Sequence, residues 1–459
     1  MSISKTPIRT RFAPSPSGFL HLGNIRAALF NWLLAKSLGG TMLLRIEDTD
    51  ANRSGDNYAA AIEDDLSWLG LDWAGTPIQQ SQRTTEYNQA LQTLLNNEKA
   101  YHCFCSPEAL KAERARQLQA GQPPRYSGVC ARGSVQEAQR RLNNGEPAVV
   151  RFRMPATEIE FNDIVYGSMN FDGGDIGDFV LRRADGTFSF FFVNAVDDAL
   201  CGVTHVLRGA DHLANTPRQV ALLSALMLKF PTYGHVPLIN DVDGRPLSKR
   251  NDRDGMSSLR DLRKKGYIPK AIVNYLARLG HTIADNQLLT LAELASIFNT
   301  EALSKAPSKY DGAQLAHRQK EATLILDAAE WRSWLCSVLP ATLVDNPVFY
   351  EGARENIVLF KEAKEWAAVV DAENLQFTEA AQQALADANF YHAALAELQD
   401  DMEWKSFCVR VGSVTGKKGR ELFLPLRAAL TGRTDGPVMG PLFTLIGKKM
   451  AHARICQHT

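Results

Sequence analysis

A chain of 459 residues, 45% hydrophobic and 22% charged, is too long for one hydrophobic core and too apolar to stay disordered, which predicts about two to four folded domains. The MSISKTPIRT start carries no apolar leader and no apolar run approaches the ~20 residues of a membrane span, so a spanning helix is excluded and a cytoplasmic protein expected. Seven scattered cysteines argue against a disulfide framework, and zero net charge leaves any polyanion to be held by local basic surface.

Pro7 to Phe12 reads as a short strand and Pro14, Pro16 and Gly18 as a turn. Ile25, Ala28, Leu29, Trp32 and Leu33 then recur at i, i+3, i+4, i+7 and i+8, predicting a helix that Gly39-Gly40 stops. Met42 to Ile46 is an apolar run of buried-strand type. The three together form the opening βαβ unit of a nucleotide-binding α/β domain. Asp56 to Leu69 and Glu86 to Leu95 follow as helices. Between Tyr101 and Gly145 the texture changes to a Cys-containing, charged segment with a Gly-Gln-Pro-Pro break, which reads as an insertion with its own small structure.

Val149 to Met154, Glu158 to Val165 and Phe179 to Phe192 alternate as strands do. Thr204 to Arg208 and the helix from Pro217 to Leu228 make a second βα unit. Residues 250–320 read as a helical connector, and from about Glu321 onwards good helix formers dominate, predicting an all-α domain. The expected boundaries are 1–100 and 189–250 for the two halves of the α/β domain, 101–188 for the insertion, 251–320 for the connector and 321–459 for the helical domain. Charge is unevenly spread: residues 351–404 hold twelve acidic and three basic side chains, and 405–459 hold ten basic and two acidic. Residues 245–265 add eight basic against three acidic, so phosphates have places to bind.

At the entrance to the first helix stands His21-Leu22-Gly23-Asn24. Helix dipole and unpaired backbone N–H groups favour an anion there, Gly23 lets a flat base or ribose approach the backbone, and His21 can donate to a phosphate oxygen as charge builds. Its partner in the sequence is Arg245-Pro246-Leu247-Ser248-Lys249-Arg250, a basic turn with a polar, glycine-bearing flank suited to a loop that opens and closes. Cys103-Phe104-Cys105 with Tyr126 and Cys130 has the spacing of a zinc knuckle, three thiolates and one further oxygen or nitrogen.

RFAPSPSG, HLGN, LRIEDTD, the Val196-Asp197-Asp198 triplet, THVLRGADHLANTPRQ and LSKR, in this order, resemble the bacterial glutamyl-tRNA synthetases, class I aminoacyl-tRNA synthetases. The resemblance covers the whole chain. It implies a Rossmann-like catalytic domain with an inserted α+β acceptor-stem-binding domain, a helical connector and an all-α anticodon-binding domain. It implies ATP with Mg2+, L-glutamate and tRNA(Glu), with tRNA(Gln) left open as a second acceptor, no membrane, and a chain acting as a monomer. His21 and Lys249 would be the catalytic charge stabilisers, with Gly23, Asn24, Ser248 and Arg250 completing the ATP site. Glutamate would meet Arg11 and Arg208 through its carboxylates and Glu47 through its ammonium, with Ala13, Ser15, Phe190 and Asn194 in the pocket.

Two positions depart from that family pattern. Pro246 stands where the loop usually begins with Lys, and Phe190 where Tyr commonly puts a hydroxyl on the substrate; losing that donor costs about 1 kcal/mol unless a neighbour replaces it. The resemblance implies that structural zinc would take Cys103, Cys105, Cys130 and Tyr126, because the alternative His position of the family is Arg132 here, with His102 a less favoured substitute for Tyr126. Lys417, Lys418, Arg420, Arg427 and Arg433 are candidates for tRNA phosphate contacts. A glutaminyl-tRNA synthetase and a non-catalytic tRNA-binding paralogue are the rival readings. The all-α tail argues against the first, and joint retention of His21, Lys249, Arg11 and Glu47 against the second.

Overall fold

A computed structural model describes residues 7–49, 56–241, 243–247, 258–372, 375–400 and 402–459. The chain divides into two compact units, one of residues 1–260 and 273–311, the other of residues 261–272 and 312–459. In the first, β1 (Arg9–Phe12), α1 (Leu22–Ser37) and β2 (Thr41–Ile46) form a parallel βαβ unit, with Arg9 opposite Thr41 and Phe12 opposite Leu44. All five apolar residues that announced α1 are buried, but so are Phe30, Leu34 and Ala35. The helix is therefore covered nearly all round, not on one stripe. Where α1 turns back into β2, a Cβ on Gly40 would stand 2.2 Å from the Ile8 carbonyl oxygen, so only glycine lets the chain pass so close.

After α2 (Asp56–Leu69), β3 (Ile78–Gln79) adds to β2 in parallel, and α3 (Thr84–Asn96) follows. The stretch expected to be an insertion holds β4 (Ala100–Cys103), α4 (Pro107–Gln119), α5 (Val135–Asn143), β5 (Val149–Phe152), the hairpin β6 (Glu158–Asp163) and β7 (Gly167–Asp172), the short turn α6 (Gly173–Ile176) and β8 (Phe179–Arg182), all within the first unit. β4, β5 and β8 pair antiparallel in that order, and β6 pairs antiparallel with β7.

The stretch expected to run as strand to Phe192 ends as strand at Arg182, and α7 (Phe190–Leu200) is a helix. Phenylalanine and valine favour strands only where a pleated surface receives them. Here Phe192, Val193 and Val196 pack into the unit's core on a helix, and Asn194, Asp197 and Asp198, at i, i+3 and i+4, form a second buried, polar face.

The second parallel pair is β9 (His205–Gly209) with β10 (Thr232–Val236), α8 (Thr216–Ala225) lying between them in sequence. The Thr204 N–H donates to the Arg9 carbonyl at 2.8 Å, which sets β9 alongside β1. Asn31, buried in α1, ties the helix to β9: its Nδ2 donates to the Leu207 carbonyl at 2.7 Å and its Oδ1 accepts the Leu207 N–H at 3.2 Å. β1 is thus flanked by β2 on one side and β9 on the other, the topological switch point at which parallel sheets open a crevice.

The second unit is helical, from Gly312–Leu324 to Met439–Cys456, around a core that includes Trp331, Phe349 and Phe407. Arg454 is buried there and donates to the Leu430 and Val369 carbonyls at 2.7 and 2.8 Å, satisfying carbonyls near two helix ends with a cation. Much of the basic sequence around it is likewise engaged. Lys417 pairs with Asp387 at 2.6 Å, Arg433 with Glu365 at 2.9 Å, and Arg427 donates to the Pro437 carbonyl at 2.9 Å, while Lys418 and Arg420 are exposed. No described helix is long and apolar enough to cross a membrane.

Candidate active site

The carboxyl ends of β1, β2, β9 and β10 open onto one cavity of about 900 Å³. Arg11 lines it from β1, Glu47 from just beyond β2, Arg208 from β9 and Val236 from β10. The turn between β1 and α1 contributes Ala13, Ser15 and the N-cap His21, the first turn of α1 contributes Gly23 and Asn24, and α7 contributes Phe190 and Asn194. Ten residues singled out from the sequence therefore share one cavity. Ser248, Lys249 and Arg250 lie outside the described residues. On one side of them Pro246 and Leu247 line the cavity; on the other, Ser258 bridges to His21 and the Leu259 N–H donates to the Leu20 carbonyl at 2.9 Å.

His21 caps α1 with its own ring. Nδ1 accepts the Gly23 and Asn24 N–H groups at 3.1 and 3.4 Å, and the Asn24 side chain accepts the His21 N–H at 3.4 Å. This corrects the expectation that bare backbone donors at the helix entrance await an anion: two of them are taken by the imidazole. Because Nδ1 is an acceptor, the ring proton sits on Nε2. The fold has fixed the tautomer that makes His21 a donor.

Glu47 is nine-tenths buried, at 9% exposure. Asn194 Nδ2 donates to its Oε1, the Ser15 hydroxyl lies 3.5 Å from its Oε2, and Arg45 approaches to 3.7 Å. Burial pushes the Glu47 carboxyl above the usual range, against the opposing pull of Arg45 and Arg11. Arg11 donates through Nε to Asp198 at 3.2 Å, and its terminal nitrogens make no hydrogen bond among the described residues. Arg45 donates to Asp198 at 2.6 Å and to Asn194 Oδ1 at 2.7 Å, while Asp197 takes Arg83, Gln80 and Tyr87 at 2.7, 2.9 and 2.7 Å. Burial opposes the Asp198 charge, but Arg11 and Arg45 together hold its carboxyl below the usual range. Sequence reasoning gives Arg45, Asp197 and Asp198 no role. The available signals were a lone Arg inside an apolar strand and three polar residues at helical spacing.

Arg208 differs from Arg11. It is buried, at 6% exposure, and no carboxylate lies within ion-pair distance among the described residues. Its Nε donates to His235 at 3.0 Å and its NH2 group to Thr216 and Gln219 at 2.7 and 2.8 Å, leaving NH1 buried without a partner. Burial lowers its pKa to about 10. A guanidinium held this way is a socket for an anion.

Phe190 opens α7 at the cavity wall and stacks on His212, with ring centroids 5.6 Å apart and planes at 27°. Phe192 is fully buried, and Phe188 and Phe191 pack against the same core.

Away from the cavity, the Sγ atoms of Cys103, Cys105 and Cys130 lie within 4.8 Å of one another. The Tyr126 hydroxyl stands 3.4 and 3.5 Å from the Cys103 and Cys105 sulfurs and accepts the Cys130 N–H at 3.0 Å. Three thiols and a phenol converging on one point are a donor set that fits tetrahedral zinc.

The family model described as tRNA synthetases class I (E and Q), catalytic domain, matches residues 7–317, and one described as an anticodon binding domain matches residues 348–458. A curated relative named glutamate–tRNA ligase 2, from Nitrosococcus oceani, is 48% identical over 99% of this chain and 98% of its own length. This chain belongs to the glutamate–tRNA ligases, which are class I aminoacyl-tRNA synthetases. Another ligase of that name, from Alkalilimnicola ehrlichii, is 45% identical over 99% of this chain and 98% of its own length. A glutamate tRNA ligase from Elizabethkingia meningosepticum, solved in complex with its amino acid, superimposes on the synthetase fold with a TM-score of 0.86, at 26% identity over 98% of this chain and 99% of that one.

Proposed function

We propose that this synthetase activates L-glutamate with ATP and transfers it to the terminal adenosine of tRNA(Glu), and that the cavity at the β1–β9 switch point is where both steps occur. The observation that carries the reading is a match of charges. Among the described residues the cavity wall holds two buried guanidiniums with no ion pair, Arg26, whose terminal nitrogens are spent on the Leu279 and Pro237 carbonyls and the Ser308 hydroxyl, and Arg208, whose NH1 has no partner; a third, Arg11, makes no hydrogen bond through its terminal nitrogens, and Glu47 is the buried carboxylate. Glutamate presents two carboxylates and one ammonium.

In the first step the glutamate α-carboxylate attacks the α-phosphate of ATP and pyrophosphate leaves; in the second, the 2′-hydroxyl of the tRNA terminus attacks the mixed anhydride. Neither step asks the protein for a covalent nucleophile, so its work is positioning and charge stabilisation. Arg208 and Arg11 orient the carboxylates, Glu47 receives the ammonium, and the His21 Nε2–H donates to phosphate oxygens as charge accumulates. Gly23 and Asn24 border the nucleotide. Ser248, Lys249 and Arg250 would close over the triphosphate, a role supported by the anchoring of Leu247 and Ser258 at the cavity. Mg2+, when bound, neutralises phosphate charge.

The acceptor is tested by charging purified tRNA(Glu) and tRNA(Gln) with labelled glutamate and labelled glutamine. Glutamate should enter tRNA(Glu), and glutamate-dependent pyrophosphate exchange should appear when tRNA is added. Incorporation of glutamine in place of glutamate would overturn the assignment.

Glu47 also sets a pH dependence. Its folded-state pKa lies above the ordinary value, so the carboxylate that receives the ammonium is present above that raised pKa and lost as pH falls through it. KM for glutamate should therefore climb on acidification at a pH where an ordinary Glu is still ionised, and Glu47→Gln should flatten the profile at a high KM.

Zinc would be held by Cys103, Cys105, Cys130 and Tyr126 in a closed site with no position for substrate, a structural role. Metal analysis of the purified chain should find stoichiometric zinc, and Cys130→Ser should lose it. Full occupancy in that variant would remove Cys130 from the ligand set.

A further inference from the structure

Arg208 can act as a socket only if its guanidinium is held still. Beneath it lies a set of buried residues that comes from three separate parts of the chain and that neither step of the reaction uses. The Arg208 Nε–H donates to His235 Nε2 at 3.0 Å, His235 Nδ1 lies 2.5 Å from Asp163 Oδ2, and the Asp163 and His235 side chains are both fully buried. Asp163 is itself pinned, its Oδ1 accepting the Val165 and Tyr166 N–H groups at 2.8 and 2.9 Å. The Tyr233 ring completes the seat, with the Arg208 guanidinium 5.1 Å above it and the His235 imidazole stacked at 18°.

Proton placement follows by elimination. An arginine Nε always carries its hydrogen, so His235 Nε2 must accept. The single ring proton is then on Nδ1, donated to Asp163. The Thr216 hydroxyl accepts from Arg208 NH2 at 2.7 Å and lies 3.0 Å from His235 Nε2, whose single lone pair takes the Arg208 Nε–H. Every donor on Arg208 except NH1 is thereby occupied, and NH1 is the one nitrogen that the fold leaves buried without a partner, on a residue that lines the cavity.

We propose that His235, held as the Nδ1–H tautomer by Asp163, is a positioning residue that fixes Arg208 for the substrate carboxylate. This rests on the reading of Arg208 as a glutamate-binding residue. The dyad joins the β6–β7 hairpin to the amino-acid end of the cavity through three consecutive hydrogen-bonded side chains. It touches no substrate, so removing it misplaces Arg208 without removing the charge.

The test compares His235→Phe, which keeps the ring and its stacking but offers no acceptor, with His235→Gln, whose amide oxygen can replace Nε2. His235→Phe should raise KM for glutamate by about tenfold or more, the cost of a lost hydrogen bond to a charged group. KM for ATP and for tRNA should stay within about twofold, and His235→Gln should recover most of the loss. Arg208→Ala separates the two ideas. If it leaves KM for glutamate unchanged, the reading of Arg208 falls and this inference with it; if it raises KM while His235→Phe does not, only the inference falls. Should His235→Phe fail to fold, 15N NMR of histidine-labelled wild-type protein decides, with the His235 signals identified by their loss in His235→Gln. A bare Nε2 and a protonated Nδ1 at neutral pH support the proposal, and a protonated Nε2 overturns it.

Discussion

Replacing His21 with alanine is expected to lower kcat for glutamylation by about 10²-fold or more, with tRNA affinity nearly unchanged, the usual cost of removing a donor aimed at developing charge. The structure adds a complication that must be separated from that loss. Nδ1 of His21 caps α1, so the alanine variant also forfeits an N-cap, costing about 1 kcal/mol of stability. His21→Asn resolves the two, because asparagine is a good N-cap but its short side chain has no counterpart of Nε2–H. The asparagine variant should melt close to wild type and still show the depressed kcat. If it keeps full activity, His21 is a helix cap and nothing more. Lys249→Ala should depress kcat to a similar extent, and retained activity there would remove Lys249 from the mechanism.

A comparable loss, in stability instead of rate, is expected for Asp198→Ala. Asp198 is fully buried and its Oδ1 accepts from both Arg11 and Arg45, at 3.2 and 2.6 Å. Deleting it strands two guanidinium groups that are 5% and 1% exposed, and breaking a buried pair from one side costs about 3–5 kcal/mol. The sign with pH is defined by the lowered pKa of Asp198. Its contribution is complete above the ordinary carboxylate pKa of about 3.9 and disappears only as pH falls through the lower folded value, so the full effect is seen at neutral pH. Denaturant unfolding of the whole chain, followed through the transition of the catalytic unit, measures it. A shift below about 1 kcal/mol would mean that Glu47 and Asp197 suffice to neutralise the two arginines. Asp198→Asn, which keeps an acceptor, should be milder.

What the sequence made legible follows from how each signal is written in the chain. The βαβ unit was readable because its periodicity is local, and Arg11, His21, Glu47 and Arg208 could be placed because each sits inside a short run resembling a known family. The start of α7 was misread because Phe190 to Phe192 score as strand formers until one knows that a helix packs Phe191 and Phe192 against the core. The Arg45–Asp198 pair and the Asp163–His235 pair were invisible for a different reason. Their members are 153 and 72 residues apart, and nothing local distinguishes a buried, partnered Asp or His from an exposed one. The five lysines and arginines expected to contact phosphate show a different limit of local reading. Counting charge finds basic sequence but not which cations are already paired, as Lys417 and Arg433 are.

Because the cavity takes its walls from Arg11 at one extreme and Leu247 at the other, and His21 pairs with Ser258, it does not exist in any shorter N-terminal piece of the chain. A polypeptide emerging from the ribosome must wait until more than half of it has been synthesised before it can engage ATP or glutamate. Contacts so distant in sequence also close slowly. Products of premature termination upstream of Ser258 would therefore be inert as synthetases and would not compete with the finished enzyme for its amino acid.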